Sequence, residues 1–245
     1  MKKFLISIFR IISLAVIIYC STKIYIWYKE NKSNKDIQET IISNIKYVES
    51  DSIDSSEKNI DFSDLISTNP DTVGWIKVNN TNINYPIVKT SDNNYYLTHS
   101  FDKSYNSAGW VFADYRNKFD GTDKNIILYG HNRKDGSMFA SLKGTLNREW
   151  YSNEENRIIT LYTPKEILKY EVFSIYTITA VDFNSQTSFA NSTDYINYIN
   201  QLTKRSVYNF KTSFSNTEPI ITLSTCASNN TYRVILHAKL ISQDE

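Results

Sequence analysis

Beyond residue 60, the chain is dominated by short segments rich in Ile, Val, Tyr and Thr, which are separated by clusters of Asn, Asp, Ser and Gly. This pattern is typical of β-strands joined by loops. Because many short strands with little helix between them favour a closed or nearly closed antiparallel barrel over a parallel α/β sheet, we expect a mainly β fold. Eight strands are predicted, at about 73–78, 83–88, 109–113, 125–129, 157–162, 168–180, 219–225 and 232–241.

The stretch 61–245 is long enough to form one domain with a sizeable hydrophobic core. The formal charge of the chain is +1 at pH 7, and this absence of a basic excess argues against nucleic acid as a partner. Peripheral helices are predicted at 61–67, 138–142, 148–152 and 193–203.

The first 28 residues carry a membrane signal. Lys2 and Lys3 precede a long apolar run, and the window 11–28 approaches the roughly 20 residues needed to cross the hydrocarbon core. A Tyr/Trp cluster at its end fits a membrane interface, and the basic residues on its amino side predict a cytoplasmic N-terminus with the rest of the chain outside. We expect an uncleaved, single-pass anchor at 1–28, with a cleaved signal peptide or an interfacial helix as alternatives.

Residues 29–60 are predicted to connect this anchor to the domain. From Ser33 to about Val48, apolar residues recur at helical spacing, which indicates an amphipathic stalk helix. Residues 49–59 are polar, serine-rich and without periodicity, so we interpret them as a linker.

Cysteine is rare, with only Cys20 and Cys226 in 245 residues. Because Cys20 belongs to the membrane segment, Cys226 is the only thiol of the predicted exported domain, and no disulfide can form within that domain. A lone exported cysteine is buried and inert, paired with another chain, or a reactive thiol.

Alternation along the last two predicted strands favours the reactive thiol, because successive side chains of a strand lie on opposite faces. A hairpin connected through residues 227–231 would place Cys226 and Arg233 together on the face away from the core, beside a surface groove. The predicted core face contains Ile221, Leu223, Thr225, Tyr232, Val234, Leu236, Ala238 and Leu240, and the opposite face also carries Thr222, Ser224, Ile235, His237 and Lys239.

A thiol becomes a nucleophile as its thiolate, which a nearby cation or imidazole favours. Arg233 would supply the cation. Of the three histidines, His131 directly follows a strongly apolar strand and is expected at the barrel rim, where its side chain is exposed and its backbone is held. We interpret His99 as a loop histidine and His237 as an exposed strand histidine. The scattered histidines and single exported cysteine show no metal-ligand spacing, so no metal is expected.

These motifs resemble those of class B sortases. TLSTC at 222–226 is followed by YR at 232–233 and preceded by IILYGHN at 126–132, and the stretches 73–88, 92–102 and 114–117 also resemble the family. The likeness covers about 61–241. It implies an eight-stranded, sortase-type closed β-barrel as the catalytic domain at 61–245, with Cys226, His131 and Arg233 as its catalytic residues.

The resemblance further implies a cysteine transpeptidase that cleaves an NPxTx-like C-terminal sorting signal after its threonine through a thioacyl-enzyme. The surface protein would pass to an amine of a peptidoglycan precursor or stem peptide, at the outer face of the cell membrane, without a cofactor. Substrate contacts are implied at Asn93, Leu97, Thr187, Ser224 and Thr225.

Three other functions are consistent with the same residues. A thiol endopeptidase would use them for hydrolysis, and a pilin-polymerising enzyme would use a pilin lysine as the acceptor. An anchored binding module or adhesin would have no catalytic need of Cys226.

Overall fold

The computed structural model describes residues 2–48, 58–180, 182–183, 185–214, 218–226 and 232–244. Most of the predicted linker, residues 49–57, and the predicted hairpin connection 227–231 therefore lie outside the described residues.

A single helix, α1 (Lys2–Asn44), contains both the predicted anchor and most of the predicted stalk. By length and composition it can cross a membrane. No break separates the two parts, since the helix continues through Ser33, and it ends before Val48. That residue instead belongs to a short strand, β1 (Tyr47–Val48), which pairs with β2 (Asn59–Ile60). The predicted helix end was therefore too late.

Eight strands form a closed barrel, as the sequence predicted. Around the barrel their order is β10-β8-β7-β3-β4-β5-β6-β9. The strands are β3 (Thr72–Val78), β4 (Asn84–Val88), β5 (Phe112–Ala113), β6 (Asn125–Gly130), β7 (Ile158–Tyr162), β8 (Ile167–Thr179), β9 (Ile220–Cys226) and β10 (Tyr232–Asp244).

The barrel is mixed rather than purely antiparallel, which corrects the sequence-based expectation. β4 pairs with β5 in parallel, and β6 pairs with β9 in parallel over six residue pairs. Parallel neighbours need long crossover connections, and the connection from β6 to β9 contains β7, β8, two α-helices and two 3₁₀ segments in its described part. As a result, the carboxyl ends of β6 and β9 lie side by side, with Gly130 opposite Thr225.

Four helices and three 3₁₀ segments flank the strands in the part of the chain that the structure describes. The helix predicted at 148–152 is present with the same bounds, and the helix predicted at 193–203 is present with ends that differ by one or two residues. The segment predicted as a helix from residue 138 is instead a 3₁₀ turn that begins at Ala140. Besides α1, the helices are α2 (Ser63–Thr68), α3 (Arg148–Ser152) and α4 (Ser192–Arg205), and the 3₁₀ segments are Tyr95–Leu97, Ala140–Leu146 and Glu154–Arg157.

The barrel interior is filled by apolar side chains from all around the sheet. Val234, Leu236 and Ala238 of β10 face inward with Ile221 and Leu223 of β9, as alternation predicted. Tyr232 does not join this core, because it lies at the strand end and is 49% exposed.

The middle of the outer face of β9 and β10, at Thr222, Ser224, Ile235 and His237, is buried rather than exposed, which is a second correction, while Arg233 and Lys239 on the same face are half-buried. Helix α4 packs there, and with residues of β8 and β9 it forms a separate apolar cluster. His237 was predicted to be exposed but is fully buried: the Thr222 hydroxyl lies 2.9 Å from its Nδ1 and the Tyr176 hydroxyl 3.0 Å from its Nε2. Burial lowers the pKa of His237 to about 3.

Helix α1 does not stand apart from the barrel. Ile37, Ile41 and Ile45 on its C-terminal half pack against the main core. Asn34, one turn earlier, is the buried residue of this helix and is 3% exposed. The end of the predicted anchor is thus joined directly to the folded domain.

Candidate active site

Cys226 is the last residue of β9, and Arg233 is its direct partner on β10. Cross-strand partners lie on the same face of a sheet, so positions 226 and 233 share the outer face, as alternation predicted. The Arg233 guanidinium lies over the Phe183 ring, 5.5 Å from its centroid. This cation–π contact holds the cation at the end of the sheet where β9 ends.

His131 directly follows β6, whose parallel pairing with β9 brings the ends of both strands together. Its Nε2 donates a hydrogen bond to the Leu97 carbonyl at 2.9 Å. Because a carbonyl can only accept, Nε2 carries a proton, and the lone pair of the neutral ring is at Nδ1. Nδ1 is therefore the ring atom available to take up a proton.

The surroundings of His131 favour its neutral form. Burial lowers the pKa of His131 below its ordinary value, and the nearby positive charge of Arg133 acts in the same direction. The hydrogen bond to Leu97 opposes both effects but does not outweigh them. A neutral imidazole near pH 7 can act as a general base.

A groove of about 560 Å³ opens beside these residues. It begins at His131 and Leu97 and extends along the ends of β5 and β6 to the segment after β8. Ser224 and Arg233, which flank Cys226 along the strand and across it, contribute to its wall. The complete lining is Asn93, Asn94, Leu97, Phe112, Asp114, Arg116, Tyr129, Gly130, His131, Ala180, Phe183, Ser185, Ser224 and Arg233.

Asp114 organises one wall of this groove. Its carboxylate is fully buried and receives two hydrogen bonds from the Arg116 side chain, both 2.8 Å long. The Tyr129 hydroxyl donates to it at 2.9 Å and the Asn93 amide at 3.1 Å. Burial would raise the pKa of Asp114, but the donors, Arg116 foremost, keep it below its usual range. Asp114 is therefore a fixed negative charge.

Two polar atoms in the wall lack hydrogen-bond partners within the described part of the chain. They are the Oγ of Ser224, a residue only 1% exposed, and the Nε of Arg233. Buried polar groups are usually paired. Both atoms belong to groove-lining residues, but each atom is itself shielded from solvent.

The structure brings some predicted substrate contacts to the groove but not all of them. Asn93, Leu97 and Ser224 line it. Thr187 is half-buried and is not among the lining residues of the described part. Thr225 is fully buried and aligned with the inward-facing Leu223, so it could contact a substrate only through its backbone.

Sequence reasoning missed Asp114, Tyr129, Phe183 and Ser185 as groove residues. Asp114 belongs to the DYRN motif and Tyr129 to the IILYGHN motif, so both residues lie in stretches that already resembled the family and could have been proposed as groove residues. The contact of Arg116 with Ser185, at 3.2 Å, joins segments 69 positions apart, and spacing alone could not indicate it. His99 takes the predicted local role: its Nδ1 donates to the Tyr95 carbonyl at 2.8 Å.

Among the residues that the structure describes, no group of three His, Cys, Asp or Glu side chains is arranged to hold a metal ion. The groove wall contains an imidazole from His131 and a guanidinium from Arg233, and Cys226 is paired with Arg233 at the end of β9.

Comparisons of the sequence and of the structure with known proteins both find sortases. The Sortase domain family matches residues 76–241. Sortase B of Listeria monocytogenes is 34% identical over 257 residues, covering 99% of both chains. A crystal structure of sortase B from B. anthracis, in complex with AAEK1, superposes with a TM-score of 0.77 at 33% identity and covers 88% of this chain and 99% of the other. A Staphylococcus aureus sortase B–substrate complex superposes with a TM-score of 0.69 at 34% identity, covering 74% and 84%.

Proposed function

The chain belongs to the sortase family and is a class B cysteine transpeptidase, and from this premise we propose that it uses Cys226, His131 and Arg233 to cleave an NPxTx-like sorting signal. The observation that carries the proposal is the direct pairing of Cys226 with Arg233 at the end of a groove whose wall includes His131.

The proposed reaction begins with attack of the Cys226 thiolate on the carbonyl carbon of the threonine, in the peptide bond that follows it. The carbonyl oxygen takes the negative charge of the tetrahedral intermediate, and its collapse breaks the peptide C–N bond. A thioester with Cys226 remains, and the C-terminal fragment leaves as an amine. A second amine then attacks the thioester, forms a new amide and restores the thiolate.

His131 would transfer the protons in both steps. As an imidazolium it would protonate the leaving amine, and as a neutral base it would take a proton from the incoming one. The bond from Nε2 to Leu97 holds the ring and leaves Nδ1 to exchange that proton. Lowering of the His131 pKa by burial favours the base required in the second step.

Arg233 would stabilise the negative charge of the thiolate and the tetrahedral intermediate. Its guanidinium is fixed by stacking on Phe183, and its Nε has no partner among the described atoms. A positioned donor aimed at a developing oxyanion accelerates a reaction by about 10²–10³-fold.

The groove supports a peptide as the first substrate. Its wall includes the polar residues Asn93 and Ser224 and the apolar Leu97, so it offers both polar and apolar contacts to a peptide. The Staphylococcus aureus relative has been solved as a substrate complex. We propose that surface proteins bearing the signal are the donors and that a peptidoglycan amine is the acceptor.

Helix α1 supports attachment to the cell membrane, since it can span a bilayer by length and composition. We propose that residues 2–28 form this span with the N-terminus in the cytoplasm. The barrel would then lie outside, where both surface proteins and peptidoglycan precursors are found.

The direct test uses the full-length chain in detergent micelles, incubated with an NPxTx peptide library and an amine acceptor. Intact-mass spectrometry should detect a peptide thioester on wild type, and the Cys20→Ser variant should show the same adduct because Cys226 remains. The Cys226→Ala variant should show none. An equal adduct on Cys226→Ala, or no adduct on wild type, would sink the mechanism.

Product analysis in the same experiment separates the alternatives. A thiol endopeptidase would give the hydrolysed peptide at every amine concentration. A pilin-polymerising enzyme would prefer a protein lysine to a peptidoglycan stem-peptide amine. A binding module would retain peptide affinity in Cys226→Ala and never form the adduct.

A further inference from the structure

Asn34 is a buried polar residue of the long N-terminal helix. It lies six residues beyond the proposed membrane span, and its side chain is 3% exposed. Apolar contacts alone would dock a helix to a barrel, and Ile37, Ile41 and Ile45 supply them in the next turns. A buried amide at position 34 therefore needs a separate explanation.

The Asn34 amide is satisfied entirely by one barrel loop, defined here as loop 98–109. Its Nδ2 donates to the Gly109 carbonyl at 3.0 Å. Its Oδ1 accepts from the Ser100 hydroxyl and from Asn106 Nδ2, the latter at 3.0 Å. Asn106 Nδ2 also donates to the Glu30 carbonyl at 2.9 Å, so two successive turns of α1 hold this loop.

The far side of the same loop packs on His131. Gly109 has a φ of +59°, and a Cβ at this position would lie 3.0 Å from His131 Cδ2 and 2.8 Å from the Leu97 carbonyl oxygen. That oxygen is the acceptor of the His131 Nε2 hydrogen bond. One residue therefore separates the Asn34 amide from the imidazole and its partner.

A second connection joins α1 to the segment that follows His131. The Arg133 guanidinium donates to the Asn31 side chain of the helix. Arg133 is also the charge that helps to lower the pKa of His131. The helix thus contacts both segments that define the surroundings of the imidazole.

We propose that Asn34 is a positioning residue that holds Gly109 and the Leu97 carbonyl against His131, so that the anchor helix is part of the active-site scaffold. The proposal rests on the proposed function only in giving His131 its proton-transfer role. Asn34 touches no reacting atom, and it acts through loop 98–109.

The test compares Asn34→Ala with Gln38→Ala in the full-length chain in detergent micelles. Gln38 also joins α1 to the barrel, through a 3.2 Å bond to the Asn84 carbonyl and a hydrogen bond with the Tyr85 hydroxyl, and neither of these described bonds involves loop 98–109. The variant Asn34→Asp keeps the size and the acceptor oxygens and loses the donor to Gly109. It also provides a second variant if Asn34→Ala does not fold.

The primary readout is the ¹⁵N spectrum of the three histidine rings, with His99 assigned through His99→Gln. In wild type, Nε2 of His131 should appear protonated and hydrogen-bonded. Asn34→Ala and Asn34→Asp should weaken that bond, which by itself lowers the pKa of His131, and should hydrate the ring, which raises it; because burial is the larger effect, the titration midpoint should rise. Gln38→Ala should leave both unchanged.

Activity provides a second readout. Because a small displacement of a catalytic group reduces turnover more than binding, kcat should fall about tenfold or more in both Asn34 variants, with little change in KM. Unchanged His131 resonances in both Asn34 variants, or equal changes in Gln38→Ala, would overturn the proposal. If wild type formed no thioester but His131 still responded to Asn34, the proposed function would fail and the positioning role would stand.

Discussion

Arg233 lies directly opposite Cys226 in the antiparallel pairing of β9 and β10, and its guanidinium stacks on Phe183. If this cation stabilises the tetrahedral oxyanion, Arg233→Ala should lower kcat by about 10²–10³-fold. Arg233→Lys should recover only part of the loss, because an ammonium keeps the charge without the planar fork of donors. Steady-state kinetics with the sorting peptide and an amine acceptor measure kcat for both variants.

Lys239→Ala is the matched control for the arginine variants. Lys239 is a cation on the same face of β10, but its Nζ donates to the Ser213 carbonyl at 2.8 Å, outside the groove. Its removal should leave kcat within about twofold of wild type. Equal losses in the two alanine variants would indicate general damage to β10 rather than a role of Arg233 in catalysis.

Asp114 should determine peptide affinity more than turnover. Asp114→Asn weakens the bonds from Arg116 and replaces one acceptor of the network by a donor, so the orientation of Asn93 in the groove wall is lost. We expect KM to rise by about tenfold with a smaller change in kcat, because removing a partner of a buried, hydrogen-bonded charge typically costs more than 1 kcal/mol.

The control for this prediction is Asp120→Asn. Asp120 is exposed and accepts only local hydrogen bonds from Thr122. KM should be unchanged in this variant. A fall in kcat without a change in KM in Asp114→Asn would contradict the assignment of Asp114 to the binding wall.

His237 should make the fold sensitive to acid. Its pKa is about 3 in the folded chain against an ordinary value of 6.5, so the unfolded chain takes up the proton first as the pH falls. Its contribution to the free energy of unfolding therefore decreases below pH 6.5 by about 1.4 kcal/mol per unit, down to about pH 3. Denaturant unfolding at a series of pH values measures this slope.

His237→Gln should reduce the slope, because glutamine does not titrate and can still bond to Thr222 and Tyr176. His99→Gln is the control, since His99 lies in a loop and is only half-buried. The prediction is wrong if the acid slope of His237→Gln equals that of wild type.

Gly130 precedes His131 and has no room for a side chain. A Cβ there would lie 2.6 Å from Cγ of Phe139, a fully buried ring. Gly130→Ala should destabilise the fold by about 1–3 kcal/mol through overpacking and should displace His131, lowering kcat as well. Thermal unfolding and peptide kinetics measure the two effects separately.

Gly144→Ala provides the comparison for this glycine. No atom lies within 4 Å of a Cβ at Gly144, which belongs to a 3₁₀ segment. Stability and turnover should both stay near wild type. If Gly130→Ala behaved in the same way, the close contact with Phe139 would have no energetic consequence.

The positions of the eight strands could be predicted because side-chain alternation and loop composition are local properties. The inward faces of β9 and β10 follow from the same alternation, with Leu223 and Leu236 as examples. The burial of their outer faces could not be predicted in this way. It depends on how α4, the element that precedes β9, packs against the barrel, and the strand pattern does not show which face α4 covers.

The candidate site was predictable where the motifs themselves carry the chemistry. Cys226 and Arg233 lie on adjacent strands of a hairpin, so their pairing follows from the register. The neighbourhood of His131 depends instead on the parallel pairing of β6 with β9 and on the docking of α1. Neither arrangement has a local pattern, and Asn34 looks like any polar residue of a solvated helix in the sequence.

The continuous helix α1 has a consequence for how the enzyme would meet its partners. Asn106 bonds to the carbonyl of Glu30, which lies only about 3 Å along the axis beyond Tyr28, the last residue of the proposed span. If residues 2–28 span the membrane, the barrel would tilt and rotate together with its anchor, because no break in the helix separates them. The height of the groove above the lipid would therefore be set by the helix, and lateral diffusion would carry the groove to its partners.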